Sequence, residues 1–555
     1  MSRKLRTAAP KRVPPPDAEI REAEEIRRPG EGSRKMSFIL TRDHDHGALT
    51  EAKDREGWTT PVMQFGGFCL AVADKAGFSV AQSGSRSFCL VGSIANHREL
   101  RRMLAGFNSN AMTASEAGLA ALMVEHLGLA ALSFIDGAFV LFCDDAQRRC
   151  LTAVIDVLGQ YPLYATRGAN PWMAPSPRLA AGKPGFRPDF FAPEDVLSEA
   201  PRPDDYVPIK NIIRAKPGTA LELAFDGQEQ CYVGTIPFHI LRRRGDQRVS
   251  LDEGVRALEA MLVASITCAF DSGGRNYVPL SGGIDSGIVA AFGARVTELH
   301  TVAFGTERSN AYEPAKRVAR HIGSAHREIA ISSGEIIRGL FDSIYHNGIF
   351  DGSAAAVQAS LFAVMAKLRG EADLVVTGHG ADLLLGGTLV PGLAAAAVNR
   401  ELWEQVYRTR WSGEFSPVGA IAMGMQIRHP FWTPRFLGYC LDLAGEIKVS
   451  DQDVKLVLRS FAEGAKILPG DTLRRRKPAA HHGSPVESIL SGTLEIDSKP
   501  QAKSQFAYAL YRRAVAGELS PATFDPEQVV AGFRQQGEEV RKLVRAARRP
   551  YRMAS

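Results

Sequence analysis

The segment Tyr277-Val278-Pro279-Leu280-Ser281-Gly282-Gly283-Ile284-Asp285-Ser286 constrains this chain more than any other. A short apolar run meets two glycines, and a run of small and apolar residues, Gly287-Ile288-Val289-Ala290-Ala291, follows. That order predicts a strand, a tight turn and a helix. A helix start presents unpaired N–H groups and the positive end of a dipole. Two glycines let the backbone wrap an anion closely. Ser281 and Ser286 add hydroxyl donors. Asp285 would repel a bare phosphate, so a cation must stand between them, and Mg2+ suits carboxylate and phosphate oxygens best. The pattern reads as a pyrophosphate cradle in which ATP is split between its α and β phosphates. An ordinary strand–turn–helix corner is the competing reading, and the motifs further along the chain weigh against it. No G-x-x-x-x-G-K-[ST] occurs, so γ-phosphate chemistry of the P-loop kind is not expected.

The chain has 555 residues, too many for one ordinary core, and the pattern changes midway. Residues 36–240 hold short β-branched and aromatic runs such as Phe68–Val72, Phe88–Gly92 and Ala138–Phe142. Helices near Asn96–Leu104 and Ala114–His126 interrupt them, which predicts a layered α+β domain. From 248 to 555, strands at Val302–Gly305, Glu328–Ile331 and Leu374–Gly378 alternate with helical stretches such as Glu313–His321. Such alternation predicts a parallel, doubly wound sheet whose ligand sits beyond the C-terminal strand ends. After about residue 395 the pattern is mostly helical. Residues 1–35, rich in Pro, Arg and Glu, are expected to be disordered, and Met36 is an alternative start, with Ser37-Phe38-Ile39-Leu40 beginning the fold. The basic stretch Val540–Arg549 reads as a solvated helix end.

With 45% hydrophobic and 23% charged residues, the chain has the balance of a soluble globular protein. No apolar run is long enough to span a bilayer and no secretory segment opens it, so no membrane partner is expected. The seven cysteines form no C-x-x-C, which argues for a reducing cytoplasm over a zinc site or disulfide frame. A net charge of +6 is mild for this length, and no nucleic-acid partner is expected from it.

A second glycine-rich stretch, Thr377-Gly378-His379-Gly380-Ala381-Asp382-Leu383-Leu384-Leu385-Gly386-Gly387, opens at the end of a predicted strand. Asp382 is the expected second metal carboxylate, opposite Asp285 across the nucleotide phosphates. The plainer alternative is an aspartate that caps the next helix.

At this point the chain resembles the asparagine synthetase superfamily, and within it the β-lactam synthetases, over nearly its whole length from about residue 60. The motifs that carry the resemblance are Ser281–Ser286, Thr301–Asn310, Thr377–Gly387, Gly413–Pro417, Arg428–Trp432 and Arg475–Ser484, with Gly92–Leu100 in the first half. The resemblance implies an Ntn-hydrolase-like first domain, of the glutamine-amidotransferase type, and an ATP-pyrophosphatase second domain with a helical C-terminal part. Glutamine-using members carry a cysteine directly after the initiator Met. Here that position is Ser2, the alternative start would expose Ser37, and Cys69 lies deep in the domain. The first domain is therefore expected to be an inactive amidotransferase, and the attacking amine to come from the substrate itself.

The same resemblance assigns roles. Nucleotide contacts are expected at Val278, Leu280, Ser281, Gly282, Gly283, Asp285, Ser286, Phe304 and Gly378, and Mg2+ contacts at Asp285 and Asp382. His379 stands where the β-lactam-forming members have a tyrosine, and Glu414 matches its glutamate partner. The pair would deprotonate the attacking amine. An imidazole, with a reference pKa of about 6.5 against about 10 for a phenol, suits that task. Lys477 matches the family's lysine loop and would steady the negative charge of the tetrahedral intermediate. Gly287 departs from the serine that many members carry. The small residues Ser353, Ala354, Ala355 and Ala356 are expected near the substrate. The reading is an AMP-forming ATP-dependent synthetase. It closes a lactam, a β-lactam first among the candidates, on a small-molecule substrate that carries both carboxylate and amine. A macrolactam cyclase of the lasso-peptide type, an ammonia-dependent asparagine synthetase and a tRNA-modifying enzyme are the alternatives. A homodimer stays open.

Overall fold

The computed structural model describes residues 37–42, 45–73, 78–168, 170–197, 205–225, 231–239, 249–270, 273–307, 310–475, 485–494 and 500–535. The extension 1–35, the basic stretch 540–549 and Lys477 lie outside them. The alternating first half builds two antiparallel sheets. Its strands are β1 (Phe38–Arg42), β2 (Met63–Phe65), β3 (Phe68–Val72), β4 (Phe78–Ser83), β5 (Arg86–Ile94), β6 (Gly137–Asp145), β7 (Cys150–Ile155), β8 (Tyr164–Thr166), β9 (Met173–Ala174), β10 (Ile212–Arg214), β11 (Thr219–Phe225) and β12 (Cys231–Pro237). One sheet runs β10-β8-β9-β1-β3-β2 and the other β12-β11-β7-β6-β5-β4.

Alternate residues of β5 show how the layers stack, because successive side chains in a strand point to opposite faces. Cys89 and Val91 join Phe38, Leu40, Leu70 and Val72 of the facing sheet. Phe88 and Leu90 turn the other way and pack with Leu100, Leu104, Leu119 and Met123, which belong to the helices His97–Leu104 and Glu116–Leu127. On the outer face of the first sheet, Ile39, Cys69 and Ala71 meet Leu49 and Ala52 of the helix His46–Arg55. The order helix, sheet, sheet, helix is the layered α+β arrangement that the first half predicts.

The second half holds β13 (Asn276–Pro279), β14 (Leu299–Gly305), β15 (Ala325–Ala330), β16 (Leu374–Val376) and β17 (Gln426–Arg428). All four pairings are parallel, in the order β15-β14-β13-β16-β17. The chain steps one way from β13 to β15, crosses through the helices Ser333–Asn347 and Gly352–Lys367, and resumes on the other side of β13. The C-terminal ends of β13 and β16 thus lie side by side where the strand order reverses, the place where open α/β sheets hold ligands. The region after residue 395 is mostly helical, as expected, and β17 is a strand within it that the sequence reading did not foresee. Three residues are too few for a periodicity to show, and pairing with β16 is what makes them a strand.

Buried and rim contacts tie the halves together. The Arg410 guanidinium donates to Val157 O at 2.7 Å and Arg435 pairs with Glu99 at 2.7 Å. The described residues, between 37 and 535, all fall within one compact body. A division into 36–240 and 248–555 remains our proposal, supported by the antiparallel sheets lying in the first range and the parallel sheet in the second. No single helix among the described residues is long and apolar enough to cross a membrane.

Candidate active site

The loop after β13 is built on contacts that admit only glycine at one point. Gly282 has φ +66°, and a Cβ there would stand 2.4 Å from Pro314 Cβ. Ser281 N–H donates to Ser286 Oγ at 3.2 Å, and the two hydroxyl oxygens are 3.2 Å apart. The helix Ile284–Val296 begins at Gly283 with no side-chain cap, which leaves first-turn N–H groups for an anion. Val278 and Leu280 are buried side chains, so only their backbone can meet a nucleotide, and Leu280 N–H is already given to Val302 O. Phe304 is half-buried near the end of the neighbouring β14. Gly378 opens the loop after β16 directly against this one: a Cβ on it would lie 2.6 Å from Ser286 N.

Asp285 and Asp382 come together on one cation. The Lys455 ammonium donates to Asp285 Oδ1 at 2.7 Å and Oδ2 at 2.6 Å and pairs with Asp382 Oδ1. Asp285 and Lys455 are buried, and the Asp382 side chain is one-third exposed. Burial alone would lower the Lys455 pKa, but the two carboxylates outweigh it and hold the ammonium above the ordinary lysine value. Carboxylates that converge on a single positive centre are what a divalent cation requires. Two of them leave most of an octahedral Mg2+ shell to phosphate oxygens and water. No group of three or more His, Cys, Asp or Glu suited to a metal occurs among the described residues. The pair therefore fits a Mg2+ that arrives with a nucleotide better than a resident metal.

His379 and Glu414 also meet. Nε2 of the ring lies 3.4 Å from Glu414 Oε2, an ion-pair distance without the alignment of a hydrogen bond, and Nε2 is buried with no hydrogen-bond partner. The imidazole stacks on Phe415, with ring centroids 4.4 Å apart, and Phe415 stacks in turn on Trp432 at 4.1 Å. Lys477 itself is outside the described residues. Arg475, two positions before it, donates to Ser281 O at 3.2 Å, so the chain enters that stretch at the rim of the Ser281 loop.

Three placements went unforeseen from the sequence. Lys455 was missed, as were the Arg475 contact and the role of Thr377, whose Oγ1 accepts the His379 N–H at 3.2 Å. Gly287 is explained by packing, since a Cβ there would meet Leu468 Cδ2 at 2.9 Å. Of the small residues after Asp351, Ala354 and Ala355 are buried, and Gly352 is required by packing. Asp351 caps its own helix by accepting the N–H groups of Ser353 and Ala354 at 3.0 Å, and a Cβ on Gly352 would lie 2.2 Å from the Lys503 carbonyl carbon. Cys69 is wholly buried in β3, its Sγ 3.6 Å from Gln64 Oε1.

The protein-family model described as asparagine synthase matches residues 257–416 and 419–539, about half of the chain. The chain therefore belongs to the asparagine synthase family, and it is an ATP-dependent ligase of that superfamily. A model of the N-terminal part of carbapenam-3-carboxylate synthase matches residues 67–235. Carboxyethyl-arginine beta-lactam-synthase of Streptomyces clavuligerus is 28% identical over 451 residues, 80% of this chain and 83% of that one. The glutamine-hydrolysing asparagine synthetase of Gallus gallus is 31% identical over 223 residues, 37% of this chain and 39% of that one. Within the superfamily the likeness runs to the β-lactam synthetases. A solved glutamine PRPP amidotransferase from B. subtilis, complexed with ADP and GMP, aligns over 53% of this chain and 60% of its own. At 12% identity and a TM-score of 0.24 it carries no argument.

Proposed function

We propose that this enzyme adenylates the carboxylate of a small amino-acid-derived substrate and closes a lactam, a β-lactam by preference, in the biosynthesis of a secondary metabolite. The observation that carries the reading is the convergence of Asp285 and Asp382, from the first helical turns beyond the loops after β13 and β16, on one positive centre. The His379–Glu414 pair stands on the second of those loops and its neighbour. A substrate carboxylate oxygen attacks the α-phosphorus of ATP and pyrophosphate leaves into the Ser281 loop. Mg2+ held by Asp285 and Asp382 would neutralise phosphate charge there. An amine of the same substrate then adds to the acyl carbon, AMP departs, and the amide remains.

The chain's own residues do the rest. Nε2 of His379 faces Glu414, so the amine's proton is taken on Nδ1 and Glu414 stabilises the imidazolium that results. Lys477 would meet the oxyanion as it forms, a role compatible with the Arg475 anchor. Holding both reacting ends in one crevice supplies much of the rate by proximity. A likeness to carboxyethyl-arginine beta-lactam-synthase makes carboxyethyl-arginine and other β-amino acids the first substrates to try.

The test separates the half-reactions. Pyrophosphate and AMP should appear in equal amounts with a productive β-amino acid, and ADP should not. Asp285→Ala should abolish pyrophosphate release, whereas Lys477→Ala should keep it and lose the lactam. Equal loss of both half-reactions in Lys477→Ala contradicts the role given to that residue. Amide formation only with aspartate and free ammonia would make the enzyme an asparagine synthetase instead.

A further inference from the structure

Beyond Glu414, the imidazole of His379 is surrounded by residues to which the chemistry above gives no part. The parallel register pairs Val376 with Arg428. The next residues, Thr377 and His429, therefore stand opposite each other, and paired residues of neighbouring strands share a face. Thr377 Oγ1 lies 2.7 Å from His429 Nδ1 and 3.2 Å from His379 N. A hydroxyl has one hydrogen. Having accepted the His379 N–H, Thr377 Oγ1 still has its hydrogen and a second lone pair, so it bonds His429 Nδ1 in either tautomer of that ring. Both Thr377 and His429 are buried, at 6% and 5% exposure.

His429 also touches the ring stack. Its ring meets Phe415 edge-on, 5.1 Å between centroids at 88°, while the faces of Phe415 carry His379 and Trp432. The centroids of His379 and His429 are 6.0 Å apart. The contacts close a circuit. The backbone of His379 is held by Thr377, Thr377 by His429, and His429 presses the ring on which the His379 imidazole rests. Burial keeps His429 far below the ordinary histidine range. An uncharged ring in that place does not oppose a positive charge arising on His379.

We propose that Thr377 and His429 are positioning residues for ring closure: together they fix the backbone of His379 and the edge of Phe415, so that the imidazole meets Glu414 on one side and the substrate amine on the other. The proposal rests on the role of His379 given above. It separates two functions of one loop, since Asp382 serves adenylation and His379, three residues earlier, serves amide formation.

The experiment compares side chains of one chemistry and different reach. The amide of Asn at position 429 places a hydrogen-bonding atom near the Nδ1 position, whereas that of Gln places it near Nε2, away from Thr377. Expected for His429→Gln and Thr377→Val is unchanged pyrophosphate exchange, unchanged KM, and a kcat for lactam formation lower by about a hundredfold, the loss typical of a reacting group displaced by an ångström. His429→Asn and Thr377→Ser should recover most of the rate. The double variant Thr377→Val/His429→Gln should be no worse than either single one, because both act through the same hydrogen bond. Parallel loss of pyrophosphate exchange and lactam formation would overturn the proposal, as would equal rates for Asn and Gln at 429 or losses that multiply in the double variant. His379→Ala is the control. Undiminished lactam formation in that variant refutes the role of His379 itself, a result distinct from a failure of the positioning pair.

Discussion

Lys455 sits at the N-cap of the helix Leu456–Gly464 with φ +60°, a left-handed conformation that costs a non-glycine residue about 1–3 kcal/mol. The two carboxylates on its ammonium hold it there. Asp285 and Asp382 were legible in the sequence because each follows a predicted strand end and a glycine turn, and His379 and Glu414 through the resemblance to the β-lactam synthetases. Lys455 was not, because Val454-Lys455-Leu456-Val457-Leu458-Arg459 reads as the exposed head of an amphipathic helix. Its burial comes from a partner 170 positions away, which no local pattern announces. Lys455→Met keeps the length of the side chain and removes the charge. It should cost about 3 kcal/mol in urea unfolding, since a broken buried ion pair leaves carboxylates uncompensated. Added Mg2+ should then raise the thermal midpoint of the variant more than that of the wild type, because a divalent cation takes the place of the lost ammonium. Equal midpoint shifts would show that the carboxylates do not share a cation.

The elements that carry the site are strand–loop–helix units pressed so closely that their glycines have distinct jobs. Gly378 abuts backbone and Gly287 abuts the tip of a leucine, and the two should respond differently to an added side chain. Gly378→Ala drives a methyl against Ser286 N and the Asp285 carbonyl carbon, neither of which can move without parting the two loops. Pyrophosphate release should be lost, and the thermal midpoint should fall further than when only a flexible side chain is crowded. Gly287→Ser crowds the Leu468 side chain first, an overpacking cost of about 1–3 kcal/mol, and Leu468→Ala in the same chain should restore stability. Failure of that rescue would mean that the backbone, not Leu468, excludes the serine. The long strands and the helices Glu116–Leu127 and Tyr312–Ile322 were legible because they run long enough for a period to show. The strands β8, β9, β10 and β17 span two or three residues each, and only their neighbours make them strands. The miss at β17 mattered most, since it is this strand that carries His429 to Thr377.

At the scale of the molecule, the two halves meet around a cavity of about 90 Å³, lined from the first half by Asp136 and Gln160 and from the second by Ser265, His429 and Trp432. Closing the halves over His429 sets a pH dependence whose sign can be worked out. Burial, and then the nearby His379, hold the His429 pKa well below its ordinary value of 6.5. The folded ring stays neutral while the unfolded one takes up a proton, so its contribution to stability is complete above pH 6.5 and is lost as the pH falls. At pH 5 the loss amounts to about 2 kcal/mol, at about 1.4 kcal/mol per pH unit. Asp136 acts in the opposite sense. Burial raises its carboxyl from 3.8 to about 6, so the folded state keeps a proton that the unfolded state gives up, and stability declines as the pH rises through that interval. A raw pH profile mixes the two, whereas the difference between wild type and His429→Phe cancels the aspartate. The urea midpoint of the wild type should therefore fall further between pH 7 and pH 5 than that of His429→Phe, by the equivalent of about 2 kcal/mol. Parallel profiles would mean that the unpaired Nε2 of His429 reaches water in the folded protein, and that the halves are less tightly closed over it than the geometry shows.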